Sequence, residues 1–328
     1  MARTVDIASL AKALRNGDRS ALARAITLVE STRPGEQAAA MDLLDRCAAM
    51  PDTRRIGITG PPGVGKSTLI DALGMHLIAQ GHRVAVLAVD PSSQRSGGSI
   101  LGDKTRMERL GAQEHAFIRP SPSGGSLGGV ARRTREAMLL CEAAGHDHIL
   151  VETVGVGQSE LDVDRMTDLN LLLMLAGAGD ELQGIKRGIM ESADLIAVTK
   201  ADGDNAARAR TARLDLQQAV QLLPAREHGG RPKVMAVSAT TGEGIAALAQ
   251  ELDALHGSLR ERGHVAKRRA EQGRWWLHQA IGEGLLDLFR GDARVSAAYP
   301  GLEDDVVAGR ITPFRAAQRL IALFRTTS

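Results

Sequence analysis

The sequence predicts an α/β fold with a mostly parallel central sheet covered by helices and with helical extensions at both ends. Three observations predict it. Short apolar runs at 56–58, 84–89, 148–151, 169–175, 195–198 and 234–237 alternate with helix-length segments, as strands buried on both faces by crossover helices do. Glycine is abundant, 36 residues of 328, and clusters between those runs, where backbone must approach a ligand closely. Aromatic residues are scarce, and all but Phe117 fall from Trp275 onward, so the C-terminal segment packs by other rules than the middle.

The N-terminal extension, 1–50, reads as helices. Ile7, Leu10, Ala11 and Leu14 share a helical face, Asn16-Gly17 stops that helix, and Asp18 caps a second one carrying Leu22, Ile26 and Val29. Pro34-Gly35 opens a third. A nucleotide-binding domain follows over 51–258. Past about residue 258 the strand pattern stops, and 259–328 reads as a helical dimerisation arm. Leu277, Ile281, Leu285 and Leu288 form a helical stripe there, and Thr312-Pro313 starts a last helix through Phe314, Ala317, Ile321 and Phe324.

Composition excludes several function classes. The formal net charge is +2, with 41 Lys and Arg against 39 Asp and Glu, so no global field draws the molecule to nucleic acid or acidic membranes. Cys47 and Cys141 alone make neither a disulfide framework nor a Cys-based zinc site, which fits a reducing cytoplasm. No apolar run reaches a membrane span, and the N-terminus lacks a signal peptide's apolar core. A cytoplasmic protein with neither a nucleic-acid nor a membrane partner is expected.

The chemistry lies in the loops that follow the strands. Gly60-Pro61-Pro62-Gly63-Val64-Gly65-Lys66-Ser67, followed by Thr68, fits G-x-x-x-x-G-K-[ST] between a strand and a helix. In such a P-loop, backbone N–H groups wrap phosphates, Lys66 reaches the β/γ-phosphates and Ser67 offers a hydroxyl to Mg²⁺. A structural glycine turn is the bland alternative. Asp90 and Glu152 end strands, where open α/β sheets bind ligands. Either can hold Mg²⁺ directly or through water, or merely cap a turn. Gly155 stands where a backbone N–H senses a γ-phosphate.

Thr199-Lys200-Ala201-Asp202 follows the strand 195–198. The Asp202 carboxylate accepts both the ring N–H and the amine of guanine, a pair that adenine lacks. The Lys200 stem can lie on the base, and Ser238-Ala239-Thr240 can back it with amide groups. Otherwise both segments are ordinary turns.

The segments G-P-P-G-V-G-K-S-T, V-D-P-S-S, E-T-V-G-V-G-Q-S-E, Gly177-Ala178-Gly179-Asp180-Glu181-Leu182-Gln183-Gly184-Ile185-Lys186 and T-K-A-D, in that order, resemble those of the MeaB/ArgK/MMAA GTPases. These are chaperones of cobalamin-dependent acyl-CoA mutases such as methylmalonyl-CoA mutase. The resemblance runs nearly end to end. It implies a homodimeric P-loop GTPase that turns GTP into GDP and phosphate, slowly on its own and faster with its mutase, and that gates cofactor loading, protection or reactivation. It implies Lys66, Ser67, Asp90, Asp103 and Glu152 as the phosphate and Mg²⁺ set. It also implies a switch loop containing Asp180, Glu181, Gln183 and Lys186, with Lys186 a candidate for neutralising transition-state charge. By spacing alone Asp103 is a helix start and 180–186 a Gly-rich turn. Gln158 reads equally as a water-orienting group or a loop residue. Thr199 departs from the Asn that relatives often carry and cannot reproduce an amide's paired contacts, which implies weaker guanine affinity with an unchanged base preference.

Two other functions fit parts of the sequence. An ATP-dependent kinase acting on a transport substrate predicts ATP preference, and a nickel metallochaperone GTPase needs His or Cys tracts. The nine His are scattered, and His146-Asp147-His148 abuts a buried strand, a structural placement. The basic stretch Arg260, Arg262, Lys267, Arg268, Arg269 and Arg274 reads as a solvated helix face because Glu261 and Glu271 interrupt it. Trp275, Trp276 and the Leu stripe read as core or subunit interface.

Overall fold

A computed structural model describes residues 6–31, 33–47, 52–89, 107–120, 127–153, 159–177 and 187–325. The chain divides into two compact units, 1–269 and 270–328.

The first unit opens with α1 (Ile7–Arg15), α2 (Arg19–Val29) and α3 (Pro34–Arg46). The local signals act as the sequence reads: Asn16 caps α1, Gly17 turns at φ 77°, and the Asp18 carboxylate accepts from the N–H groups of Ser20 and Ala21. Leu14, Leu22 and Ile26 are buried. The Arg119–Glu30 ion pair ties α2 to the sheet edge.

Seven strands follow: β1 (Arg54–Thr59), β2 (Val84–Val89), β3 (Ala116–Arg119), β4 (His148–Thr153), β5 (Leu169–Leu175), β6 (Leu195–Thr199) and β7 (Lys233–Ala236). They pair in the order β3-β2-β4-β1-β5-β6-β7, and every pairing is parallel. Six of these are the apolar runs of the sequence; β3 is additional, a four-residue edge strand carrying Phe117. The helices among the described residues are α4 (Lys66–Ala79), α5 (Glu108–Gly111), α6 (Leu127–Ala143), α7 (Ser159–Asp164), α8 (Arg187–Ser192), α9 (Ala206–Ala219), α10 (Ile245–Glu261) and the start of α11 (His264–Gly291).

Alternate residues of one strand enter different cores, as the two-residue period of a strand requires. Leu171, Leu173, Leu195 and Ala197 pack with Leu69, Ile70 and Leu73 of α4 and Leu248 and Leu252 of α10. Their neighbours Leu172, Met174, Ile196 and Val198 pack with Ala209 and Leu216 of α9. The sheet is therefore covered on both faces. The chain leaves β1 toward β2 on one side and later returns to β5 on the other, so strand order reverses at the C-terminal end of β1. That crevice is where open α/β sheets bind ligands.

The opposite, N-terminal end of the strands holds a buried ionic network. Arg55 donates to both oxygens of Glu142, at 2.5 and 2.9 Å, with both side chains buried. Asp168 accepts from Arg269 at 2.8 and 2.7 Å and from the N–H of Arg55 at 3.0 Å. Burial alone would raise the Asp168 pKa, but the Arg269 and His256 side chains and the Arg55 charge outweigh it and hold the carboxylate well below its usual range. Arg268 donates to Asp164 at 2.7 Å. Arg268 and Arg269 are therefore not part of a solvated face: they bind the first turns of α11 to loops beneath the sheet. Arg262, Lys267 and Arg274 of that stretch are exposed as expected.

The second unit holds the rest of α11 with α12 (Ala293–Val307) and α13 (Pro313–Arg325). Asp292 caps α12 by accepting from the N–H groups of Arg294 and Val295. Phe289 and Phe324 meet edge to face at 5.5 Å. Among the described residues no helix is long and apolar enough to cross a membrane.

Candidate active site

The segment 60–68 joins β1 to α4 at the point of strand-order reversal. Gly60 sits at φ 148°, and a Cβ there would meet the Leu173 carbonyl at 2.7 Å, so only glycine lets the loop pass β5. Gly65 at φ 95° begins α4 without a side-chain cap. An α-helix leaves its first N–H groups without intrahelical acceptors, and here they face the loop with the positive end of the helix dipole. Pro62, Gly63 and Thr68 are exposed, whereas Val64 is buried in the core and anchors the loop from below.

Lys66 is buried and donates through Nζ to the carbonyls of Gly60 at 2.7 Å and Pro61 at 3.2 Å. Its ammonium is thus curled over the loop that would hold the phosphates. Ser67 Oγ donates to Glu152 Oε1 at 3.0 Å, 85 residues apart in sequence. Glu152 reaches this point because β4 lies beside β1, pairing it with Ile58. A hydroxyl and a carboxylate together supply hard oxygen donors, and they fit Mg²⁺, which takes one or two protein oxygens and completes its octahedron with water and phosphate.

The T-K-A-D segment follows β6. Thr199 is buried, and its hydroxyl donates to the Val64 carbonyl at 2.6 Å, with the Met174 carbonyl at 3.3 Å. Thr199 therefore ties the end of β6 to the P-loop. Lys200 adopts φ 55°, the one positive φ outside glycine among the described residues. That conformation costs a branched or long side chain of order 1 kcal/mol and is kept where a site demands it. It carries the Lys200 stem over Gly65, with Cε 4.0 Å from where a Gly65 Cβ would stand. Asn205 Nδ2 donates to the Lys200 carbonyl at 2.7 Å, and the Ala201 N–H donates to Val237, fixing the turn. Asp202 is half-buried and its carboxylate caps nothing in the 3-10 turn that follows.

Ser238 is fully buried, accepts from the Thr241 N–H at 3.1 Å and holds the turn after β7. Ala239 is half-buried and Thr240 exposed on that turn. Asp90, Asp103, Gly155, Gln158, Asp180, Glu181, Gln183 and Lys186 lie outside the described residues. The feature that sequence spacing misses is the Thr199–Val64 bond, which links positions 135 residues apart.

Thr199→Val keeps the shape of the side chain and removes the hydroxyl, leaving the buried Val64 carbonyl short of a donor. Such a loss costs roughly 1–3 kcal/mol. The expected result is about a tenfold rise in the Kd of both GTP and GDP, read by titration calorimetry, with no change in the preference for guanine. Unchanged Kd values would show that the bond does not position the loop.

A parallel sheet with a P-loop at its switch point, a Ser-Glu oxygen pair beside it and a T-K-A-D segment beyond it define a P-loop GTPase. A family model described as methylmalonyl Co-A mutase-associated GTPase MeaB matches residues 22–294. The chain belongs to the MeaB family. It is 52% identical over 327 residues to a protein of Mycobacterium tuberculosis named a probable GTPase, covering 99% of this chain and 96% of that one. It is 46% identical over 324 residues to the mouse methylmalonic aciduria type A homolog, 95% of this chain and 78% of the other, and 48% identical over 290 residues to GTPase ArgK of Escherichia coli, 88% and 87%. A crystal structure titled LAO/AO transport system kinase superposes with a TM-score of 0.73 at 37% identity, covering 99% of this chain and 100% of that chain. The protein is a GTPase: it hydrolyses GTP to GDP and phosphate.

Proposed function

We propose that this GTPase is a chaperone of a cobalamin-dependent acyl-CoA mutase, gating loading, protection or reactivation of the mutase's cofactor. The family match over 22–294, whose description names mutase association, carries the reading. The name of the mouse relative supports it.

In this reading the chain is organised as a helical lead over 1–50, a GTPase domain over 51–258 and a C-terminal dimerisation arm over 259–328, working in the cytoplasm. Gly60 to Thr68 position the triphosphate, and Lys66 moves from the Gly60 and Pro61 carbonyls to the β/γ-phosphates. Ser67, Glu152, Asp90 and Asp103 hold Mg²⁺, which neutralises charge on the phosphates when bound. Asp202 selects guanine, assisted by Thr199, Lys200 and the turn 238–240. Gly155 and Gln158 respond to the γ-phosphate, and Asp180, Glu181, Gln183 and Lys186 respond to the mutase. Positioning and electrostatic complementarity supply most of the rate in phosphoryl transfer.

The homodimer is supported by the second unit. Leu277, Ile281, Leu285 and Leu288 are all between 51% and 65% exposed on one helix, an apolar stripe of the kind monomers rarely leave to water. Beside it lies an apolar groove of about 790 Å³, lined by Leu285, Phe289, Tyr299, Leu302, Ile321 and Phe324 among others. A second copy covering both would meet it around a two-fold axis.

GTP and ATP turnover by the purified protein, with and without the cobalamin-dependent mutase of the same organism, tests the proposal. The expected result is GTP-selective hydrolysis that rises at least about tenfold with the mutase, and a mass by light scattering of about twice 34.7 kDa. ATP preference with a phosphorylated small-molecule product, or GTP turnover indifferent to the mutase, overturns it.

A further inference from the structure

The N-terminal ends of β2 and β4, across the sheet from the P-loop, carry a second cluster of chemistry. The register places Val84 beside His148, and so brings His82, two residues before β2, against the first residue of β4. The two imidazoles meet at 4.5 Å between ring centroids. Asp253 of α10 reaches the same point from above. One donor atom from each of His82, His148 and Asp253 lies within 4.8 Å of the other two.

Asp147 makes this more than a meeting of polar groups. Its Oδ2 pairs with His82 Nδ1 at 2.8 Å, and its Oδ1 pairs with His148 Nδ1 at 3.0 Å. A carboxylate accepts, so each neutral ring carries its proton on Nδ1, and Nε2 of each keeps its lone pair. One carboxylate orienting the rings through their remote nitrogens is the supporting shell that metal-binding histidines have. His148 Nε2 stands 3.4 Å from Asp253 Oδ1. A tetrahedral ion with ligands at about 2.0–2.1 Å spaces its donors by roughly 3.3–3.4 Å.

Access and charge agree with this. His148 is almost fully buried, while His82 and Asp253 are 27% and 31% exposed, so an ion enters from solvent against a fixed inner ligand. The Arg54 Nε lies 2.5 Å from Asp253 Oδ1, yet its N–H is not aligned for a hydrogen bond. With both imidazoles neutral, as metal ligation requires, two carboxylates and one guanidinium leave one net negative charge, which attracts a dication.

We propose that His82, His148 and Asp253, oriented by Asp147, form a binding site for a divalent transition-metal ion such as Zn²⁺. Two imidazole nitrogens and one carboxylate oxygen suit such an ion, and a water completes the tetrahedron. The site is separate from the nucleotide site, whose Mg²⁺ takes oxygens alone. Occupied, it links the loop before β2, the start of β4 and α10, the helix that follows the base-side turn. The competing occupant is a proton: burial disfavours it on His148, but the hydrogen bonds of Asp147 and Asp253 raise that group's pKa.

Equilibrium dialysis of the full chain, washed with chelator and then held in Mg²⁺ and GDP so that the nucleotide site is filled, is the test. Zn²⁺ is the probe, and Co²⁺ reports the ligand field through its visible absorption. The expected result is about one Zn²⁺ per chain, a tetrahedral Co²⁺ spectrum, and a Tm raised by about 5 °C at a hundredfold excess over Kd. His82→Ala and Asp253→Asn each weaken Zn²⁺ binding at least about tenfold, and His82→Ala keeps GTP turnover, which shows that it is folded. His228→Ala, at the other histidine pair (His228 with His264), leaves binding intact. Absence of stoichiometric Zn²⁺, binding that survives His82→Ala, or binding lost in His228→Ala overturns the proposal, the first leaving the cluster as a proton-held ion pair.

Discussion

Lys66→Ala is expected to reduce GTP hydrolysis by at least about a thousandfold, equivalent to roughly 4 kcal/mol of transition-state stabilisation. The Lys66 side chain is buried beside the loop, and its ammonium is held by the Gly60 and Pro61 carbonyls. A cation in that environment acts on a phosphoryl group at much lower effective dielectric than water provides. Alanine removes the charge and the Nζ that, in the proposed mechanism, reaches the phosphates. It leaves the packing of α4 unchanged, because Leu69, Ile70, Leu73 and Leu77 make its core face. Thermal stability without nucleotide should therefore stay close to wild type. Lys66→Arg should fail nearly as badly, since a planar guanidinium does not fit where a compact ammonium sits between two carbonyls. Phosphate release under single-turnover conditions measures the effect. Turnover within tenfold of wild type in Lys66→Ala would remove the lysine from the mechanism.

Much of the first unit is legible in the sequence because its signals are local. The strand 84–89 is an unbroken apolar run and 169–175 is apolar but for Asn170, and the Asp18 and Asn16-Gly17 punctuation sets the first two helices. β3 escapes because its apolar stretch, Ala116-Phe117-Ile118, is only three residues between His115 and Arg119 and no recognisable motif follows it. α12 escapes because Pro300 stands inside it, and proline ordinarily argues against a helix interior. The P-loop and Glu152 are readable separately, one as a motif and one as an acid ending a strand. Their 3.0 Å meeting depends on β4 lying beside β1, which strand spacing does not specify. Long-range pairs are illegible for the same reason: Thr199 with Val64, Arg269 with Asp168, and His82 with His148 are each joined by topology. The reading of Arg268 and Arg269 as solvated fails because charge patterning describes a helix face without saying what lies against it.

Asp202→Asn is expected to exchange the base that the protein accepts. Guanine presents a ring N–H and an exocyclic amine side by side, two donors that a carboxylate meets with two acceptor oxygens. Asparagine keeps one acceptor and turns the other position into a donor, so an N–H group faces the guanine amine. Each charge-assisted bond lost is worth roughly 1.5–3 kcal/mol, and GTP affinity should fall by about a hundredfold or more. Xanthine carries a carbonyl where guanine carries that amine, and the new amide donor meets it. Affinity for xanthosine triphosphate should rise as GTP affinity falls, while ATP gains nothing, since adenine offers no ring donor at that edge. The frame that aims the side chain stays in place, because the Thr199–Val64 bond, the Asn205–Lys200 bond and the left-handed Lys200 involve none of the replaced atoms. Thr199→Val and Asp202→Asn are then separable. The first weakens every nucleotide alike because it loosens the loop, and the second reverses a preference because it changes the donor pattern at the base. Kd values for the three triphosphates decide it: unchanged GTP binding, or a loss of GTP without a gain of xanthosine triphosphate, would mean that the Asp202 carboxylate does not read the base edge.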